Sequence, residues 1–318
     1  MVGQNIGYKT HSVSITEHAT SQAKSGIHII QGEEGTFWAA HESGAMMRIP
    51  KFHLVPPAAS EVRQVLWRGR AAIASYLLEP DEIHPANAWL YICTDRSYGL
   101  DKLSPTARRN VRRGLKELLI APLTSEQLLA HGEQAFFDTR RRNGLIDGTP
   151  EEFRRWFTSL AKMQEVVYLG AWKDNQLVAF LSTTEVDDWA EIGCFSMNAL
   201  LQYRPNDTLL YSALSYYLVE RGCRVVSYGL SSMQAESNAA GLHRFKIKIG
   251  FEAHPVCRVF APHPLLRPFV NRLTLCSVDT ALRFWPGERH LKKASGVLAC
   301  MLGLTLPLEV AEGGTKDE

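Results

Sequence analysis

Apolar and polar positions are most regularly organised between Val166 and Phe251. VVYLGAW, LVAFLSTTEV and AEIGCFSMN are short runs with apolar periodicity, separated by the turn segments KDNQ and DDW, and predict three strands. The loop LLQYRPND leads into TLLYSALSYYLVERG. There Leu209, Leu210, Ala213, Leu214, Tyr217 and Leu218 recur on one face of a helix that must rest on the sheet, and Gly222 supplies a left-handed stop. RVVSYGLSS predicts another strand, and a second helix ends in HRFKIKIGF.

Upstream, GIHIIQ, GTFWAA and AMMRIPKFHLV predict strands, stopped by Pro56 and Pro57. Ser60 caps a helix expected over EVRQVLWRGRAAIASYLL, which Pro80 ends; AWLYICT is a strand. SPTARRNVRRGLKELLI is a helix with Ser104 as cap and Pro105 at its first position. The element order of residues 26–120 echoes that of 166–251, which predicts two related halves, although no repeat is visible residue by residue. A connector over 121–165 carries two helices, SEQLLAHGEQAFFDTRRRNG and TPEEFRRWFTSLAKMQ.

After Phe251, PVCRVFAP predicts a strand, and two or three basic amphipathic helices follow. The expected organisation is a loosely ordered stretch over 1–25, a degenerate N-terminal half over 26–120, the connector over 121–165, a C-terminal core over 166–262, and a helical extension with a frayed tail over 263–318. The fold class is α+β, a mixed sheet flanked by helices.

Composition narrows the chemistry. The 318 residues are 45% hydrophobic with a formal charge of +2, so no global field demands nucleic acid. Six cysteines without a CxxC pair predict free thiols in a reducing compartment, and eleven histidines lack ligand spacing, so no metal is expected. Residues 1–25 lack an apolar core segment, and the apolar run from Val297 to Leu308 is shorter than the roughly 20 residues of a membrane span. The expected location is cytoplasmic.

The loop around Gln202, Arg204, Asn206, Asp207 and Thr208 opens a helix, where backbone N–H groups favour an anion such as a pyrophosphate. Capping by the Asn206 or Asp207 side chain explains the same residues.

The element order resembles the GNAT acyltransferase core, and several segments are similar to its FemAB-like branch. They are LSPTARRNVRRGLK, FFDTRRRNGL, the junction Pro205, Asn206, Leu209 and Leu210, then Gly222 with Tyr228-Gly229, and Gly241, Leu242, Phe245, Lys246 and Gly250. The likeness covers residues 90–255. It implies a GNAT-like fold, tandem with a degenerate first half. It also implies transfer of an acyl or aminoacyl group from acyl-CoA or aminoacyl-tRNA, as co-substrate, to an amine acceptor that is a small molecule or an envelope precursor. No tightly bound cofactor is expected. The loop departs from the CoA-binding pattern, because no glycine falls between Leu201 and Tyr211.

Such chemistry needs a base for the attacking amine and donors where negative charge develops on the carbonyl. Strand backbone N–H groups supply those donors if AEIGCFSMN and RVVSYGLSS part. Glu191 is the candidate base, and Tyr228 and Ser231 are placed to protonate a leaving group; an outward strand carboxylate and a core tyrosine are the plainer readings. The resemblance gives Lys246 an anionic substrate group to hold. Arg108 and Arg112, on one basic helix face, are candidates for a phosphate-bearing substrate or a tRNA. The basic C-terminal helices suggest peripheral membrane contact. A rival reading is a binding module that holds an anionic ligand without turnover.

Overall fold

Ser14 and Glu17 cap each other's backbone and start α1 (Ile15–Lys24) in a stretch expected to be loosely ordered. What the polar pattern hid is a helix held by tertiary partners: Ser21 and His18 both bond the buried carboxylate of Glu165. The computed structural model describes residues 12–41, 44–143, 148–232 and 239–304; of the stretch 1–25, residues 1–11 lie outside the described residues, as does the whole tail from Glu309 expected to fray.

The first half continues with β1 (Ile29–Gln31), β2 (Phe37–His41), β3 (Ala45–Ile49), α2 (Ala59–Arg68), β4 (Ile73–Leu78) and β5 (Ala88–Cys93). The helix expected to reach Leu78 ends at Arg68 instead. Arg70 takes a left-handed φ of 47°, and the chain becomes β4, paired on one side with β3 and on the other with a strand from the far end of the sequence. Ladder bonds on both edges outweigh the helical spacing of Ile73 and Leu77.

Next come α3 (Pro105–Glu117), β6 (Leu119–Leu123), and the connector helices α4 (Ser125–His131), α5 (Glu133–Arg142) and α6 (Pro150–Leu160). The second half has β7 (Val166–Lys173), β8 (Gln176–Val186) and β9 (Trp189–Ser196), joined by turns in which Asp174, Asn175 and Asp187 have positive φ. A 3-10 turn (Asn198–Tyr203) precedes α7 (Pro205–Leu214), which runs on into a π turn over Ser215–Glu220. Then follow β10 (Val225–Leu230), α8 (Ala239–Lys248), β11 (Glu252–Pro262), α9 (Arg272–Phe284) and α10 (Arg289–Met301).

Among the described residues, eleven strands form one sheet in the order β1-β2-β3-β4-β11-β5-β10-β9-β8-β7-β6. The same unit occurs twice, a strand, a helix and a parallel strand: β3-α2-β4 and β9-α7-β10. Each half places a strand beside the other: β11 pairs with β4, β5 pairs with β10, and β5 and β11 pair with each other at the centre. This is the expected mixed α+β sheet. Both faces of the second half are covered. Leu209, Leu210, Ala213, Leu214, Tyr217 and Leu218 of α7 and its π extension are buried on the face of Ile192, Cys194 and Val226. Phe136, Phe153 and Phe157 of α5 and α6 pack on Phe180 on the other face. α3 crosses α7 so closely that a Cβ at Gly114 would lie 1.8 Å from Thr208 Oγ1.

Candidate active site

β9 and β10 are neighbours for only three residue pairs, Trp189 with Val225, Ala190 with Val226, and Glu191 with Ser227. Beyond them β9 stays with β8 as far as Ser196, while β10 follows β5. The departure is local in origin. Gly229 has φ +69°, a conformation that costs glycine little, and the β10–β5 register shifts between Ser227 and Leu230. A wedge therefore opens between the two strands.

The orientation of the β9 backbone toward this wedge follows from two bonds. Val225 N–H donates to the Asp188 carbonyl across the paired end, and Ser196 N–H donates to Thr139 Oγ1 at the far end. Even-numbered residues of β9 thus turn their backbone toward β10, by strand alternation. Cys194 presents its N–H and C=O to the wedge, beyond the last rung of the ladder, in which the Ile192 N–H meets the Ser227 carbonyl. Arg142 closes the far end, donating to the Ser196 carbonyl and hydroxyl and to Asn198 Oδ1.

Lys246 lies on the β10 side. It is 7% exposed, and its Nζ donates to the Tyr228 carbonyl at 3.0 Å. The same Nζ sits 3.9 Å from the centroid of the Tyr91 ring and 4.8 Å from that of Tyr228. No carboxylate among the described residues pairs with it. Burial without a counter-charge pushes its pKa down to about 7. Tyr91 in turn bonds His243 Nδ1 through its hydroxyl at 2.9 Å, and burial, helped by Lys246, pushes that imidazole below its usual range. Burial also raises the Tyr228 phenol well above its ordinary value, with Cys194 adding to the rise and Arg142 opposing it.

The other sequence candidates divide. Tyr228 lies at the wedge. Glu191 stands at its apex, but its carboxylate turns to Lys51 Nζ at 2.6 Å, with both side chains 43% exposed. Ser231 lies off the wedge: its Oγ accepts from Trp89 N–H and its own N–H donates to the Trp89 carbonyl, extending the β10–β5 ladder. At the start of α7, no side chain caps the helix. Asn206 instead accepts from the Cys194 thiol at 3.3 Å, and Asp207 is buried between Asn110 at 3.1 Å and Lys248 at 2.8 Å. Capping by Asn206 or Asp207 is thereby replaced by a paired carboxylate whose charge no longer opposes an anion at the helix start. Thr208 is buried and donates to the Arg204 carbonyl, whereas Gln202 and Arg204 are exposed. Arg108 bonds the carbonyls of Asp101 and Leu103 and so braces the turn before α3; Arg112 is exposed.

Tyr91, His243, Arg142 and Thr139 had no sequence signal as a group. Tyr91 reads as one more core aromatic in a strand, and its role comes only from β5 lying beside β10. Chemically, the wedge stands beside a backbone donor, a lysine whose pKa burial brings down to about 7 and a phenol whose pKa burial raises.

No family model matches the sequence, and no curated protein matches it by sequence. Solved structures do share its fold. FemX covers 80% of this chain and 93% of its own at 10% identity, with a TM-score of 0.55. A conserved protein of unknown function from Bacteroides thetaiotaomicron covers 81% and 94% at 11% identity, with a TM-score of 0.51. The C-terminal DUF2156 domain of a protein taken to be a lysylphosphatidylglycerol synthetase, from Agrobacterium fabrum, covers 76% and 86% at 14% identity, with a TM-score of 0.50. At these identities the likeness is one of fold, and the mixed sheet flanked by helices that the sequence led one to expect is an arrangement shared with FemX.

Proposed function

We propose that the protein is an acyltransferase that moves an acyl or aminoacyl group from an activated donor to an amine, with Lys246 as the proton acceptor. The observation that carries this reading is the buried, unpaired Lys246 amine beside the parted strands. The fold shared with FemX supports it.

In this reading the donor carbonyl lies in the wedge, its oxygen toward the N–H of Cys194. The acceptor amine attacks the carbonyl carbon, forming the C–N bond and giving its proton to neutral Lys246. The bond from carbonyl carbon to the thiolate or alkoxide leaving group breaks, and that group takes a proton from the Tyr228 hydroxyl, which Lys246 then restores. The anionic part of acyl-CoA or aminoacyl-tRNA lies toward the uncapped start of α7, by Gln202, Arg204 and Asn206. The acceptor is a small-molecule amine or an envelope precursor.

The test is turnover by the purified protein with acyl-CoAs and charged tRNAs against a panel of amines, beside the Lys246→Met variant. Thiol release or tRNA deacylation that requires an amine, and that falls about a hundredfold in the variant, is the expected result. Thermal stabilisation by donors without turnover would instead establish a binding module.

A further inference from the structure

Leu265, Phe269, Leu273, Phe284 and Trp285 are large apolar side chains, yet each is between 61 and 78% exposed. All lie in the short stretch from the 3-10 turn Pro264–Phe269 to Trp285, the residue that follows α9. α9 packs against α10, and α10 against β11, so the opposite side of α9 has no cover from the described residues. That open side carries Arg272, Leu273, Ser277, Thr280, Arg283 and Phe284, all exposed and within about 140° of one another at 100° per residue. Trp67, at the end of α2, extends the same surface; it is exposed, and its ring lies 4.4 Å from that of His263.

Charge on this segment is one-sided. Residues 263–304 hold six Lys and Arg against two acids, a balance of +4 where the whole chain has +2. Both acids are engaged: Asp279 accepts from Ser295, and Glu288 caps the start of α10. Arg267, Arg272 and Arg283 therefore stand among the apolar tips without a nearby carboxylate within ion-pair distance among the described residues.

The one-sided balance of +4, carried beside exposed apolar tips, complements a surface of uniform negative charge. Aromatic and leucine side chains ringed by arginine fit the boundary between phosphate headgroups and acyl chains. No described helix is long and apolar enough to cross a membrane, so such contact would lie along the surface. We propose that this face seats the protein on an anionic phospholipid bilayer, with Phe269, Leu273, Phe284 and Trp285 entering the interface and Arg267, Arg272 and Arg283 on the phosphates. The inference stands apart from the acyl-transfer reading, and its readout needs no turnover.

The experiment is co-sedimentation of the full chain with vesicles of phosphatidylcholine alone and of phosphatidylcholine with phosphatidylglycerol, in low and high salt. Binding is expected only with the anionic lipid, with a salt-sensitive partition coefficient. It should fall about tenfold or more in Phe284→Ser/Trp285→Ser and in Arg272→Glu/Arg283→Glu, while thermal unfolding stays as in the parent chain. Absence of binding to the anionic vesicles, or binding that neither variant weakens, overturns the proposal. So does a solution dimer that the aromatic variant dissolves in a chain that ignores both vesicle types.

Discussion

Lys246 Nζ lies 3.9 Å from the centroid of the Tyr91 ring, and that contact joins two distant parts of the sequence at one site. Tyr91 comes from the first half and Lys246 from α8. They meet because β5 is inserted between β10 and β11. The ring faces favour a cation, but they do not replace water or a carboxylate, and burial sets the direction of the shift.

The rate of acyl transfer should therefore rise with pH through about 7 and then level, because only the neutral amine accepts a proton. Stability should follow a linked course. The folded pKa lies below the unfolded value of 10.5, so the unfolded chain binds more protons between the two, and stability rises with pH across that interval. Lys246→Met should remove this rise while leaving the chain folded. A rate that instead falls through pH 7 would mean that Lys246 acts as a cation.

Glu191→Gln should change turnover by no more than about threefold and stability by less than about 1 kcal/mol. The Lys51 ion pair it breaks is half in solvent, where such pairs contribute little. A loss of turnover approaching that of Lys246→Met would restore Glu191 as the base.

Gly114→Ala should cost about 3 kcal/mol in urea unfolding, since the new methyl would overlap Thr208 Oγ1 and lie 3.2 Å from the Tyr203 carbonyl. Thr208→Ala in the same chain should return part of that loss, as a double-mutant cycle would show. Additive losses would mean that α3 and α7 do not cross as described.

Acid should release α1. Burial alone would raise the Glu165 carboxyl, but the hydrogen bonds from His18, its own backbone and Ser21 prevail and hold its pKa below 4.5. Its contribution to stability is thus present above that unfolded value and is lost as pH falls through the lower folded one. His18→Ala should lower the urea midpoint at neutral pH and flatten its fall in acid. An unchanged acid limb would show that the Glu165 contact carries no stability.

Much of the fold was legible as local pattern. The turns at Asp174-Asn175 and Asp187, the apolar face of α7, the Pro105 and Pro150 helix starts and the doubled element order each follow from neighbours in sequence. The parting of the two strands came with the resemblance, and the structure supplied its local cause, the positive φ at Gly229 where β10 bends. The end of α2 at Arg68 was not legible, because helical spacing and a doubly paired strand put the same apolar residues in register.

By itself the sequence determined the strands and helices of a mixed sheet, while the separation of its later strands and a cationic role for Lys246 came with the resemblance. Only the tertiary structure decided what Lys246 is. Its environment consists of Tyr91 and Tyr228, supplied by strands whose adjacency depends on the exchange of β5 and β11 between halves. Tertiary packing also turned Glu191 toward Lys51 and bound Asp207 to Lys248. A side chain's charge state depends on what surrounds it in space, and sequence spacing carries no record of partners such as Tyr91, which lies more than a hundred residues from Lys246.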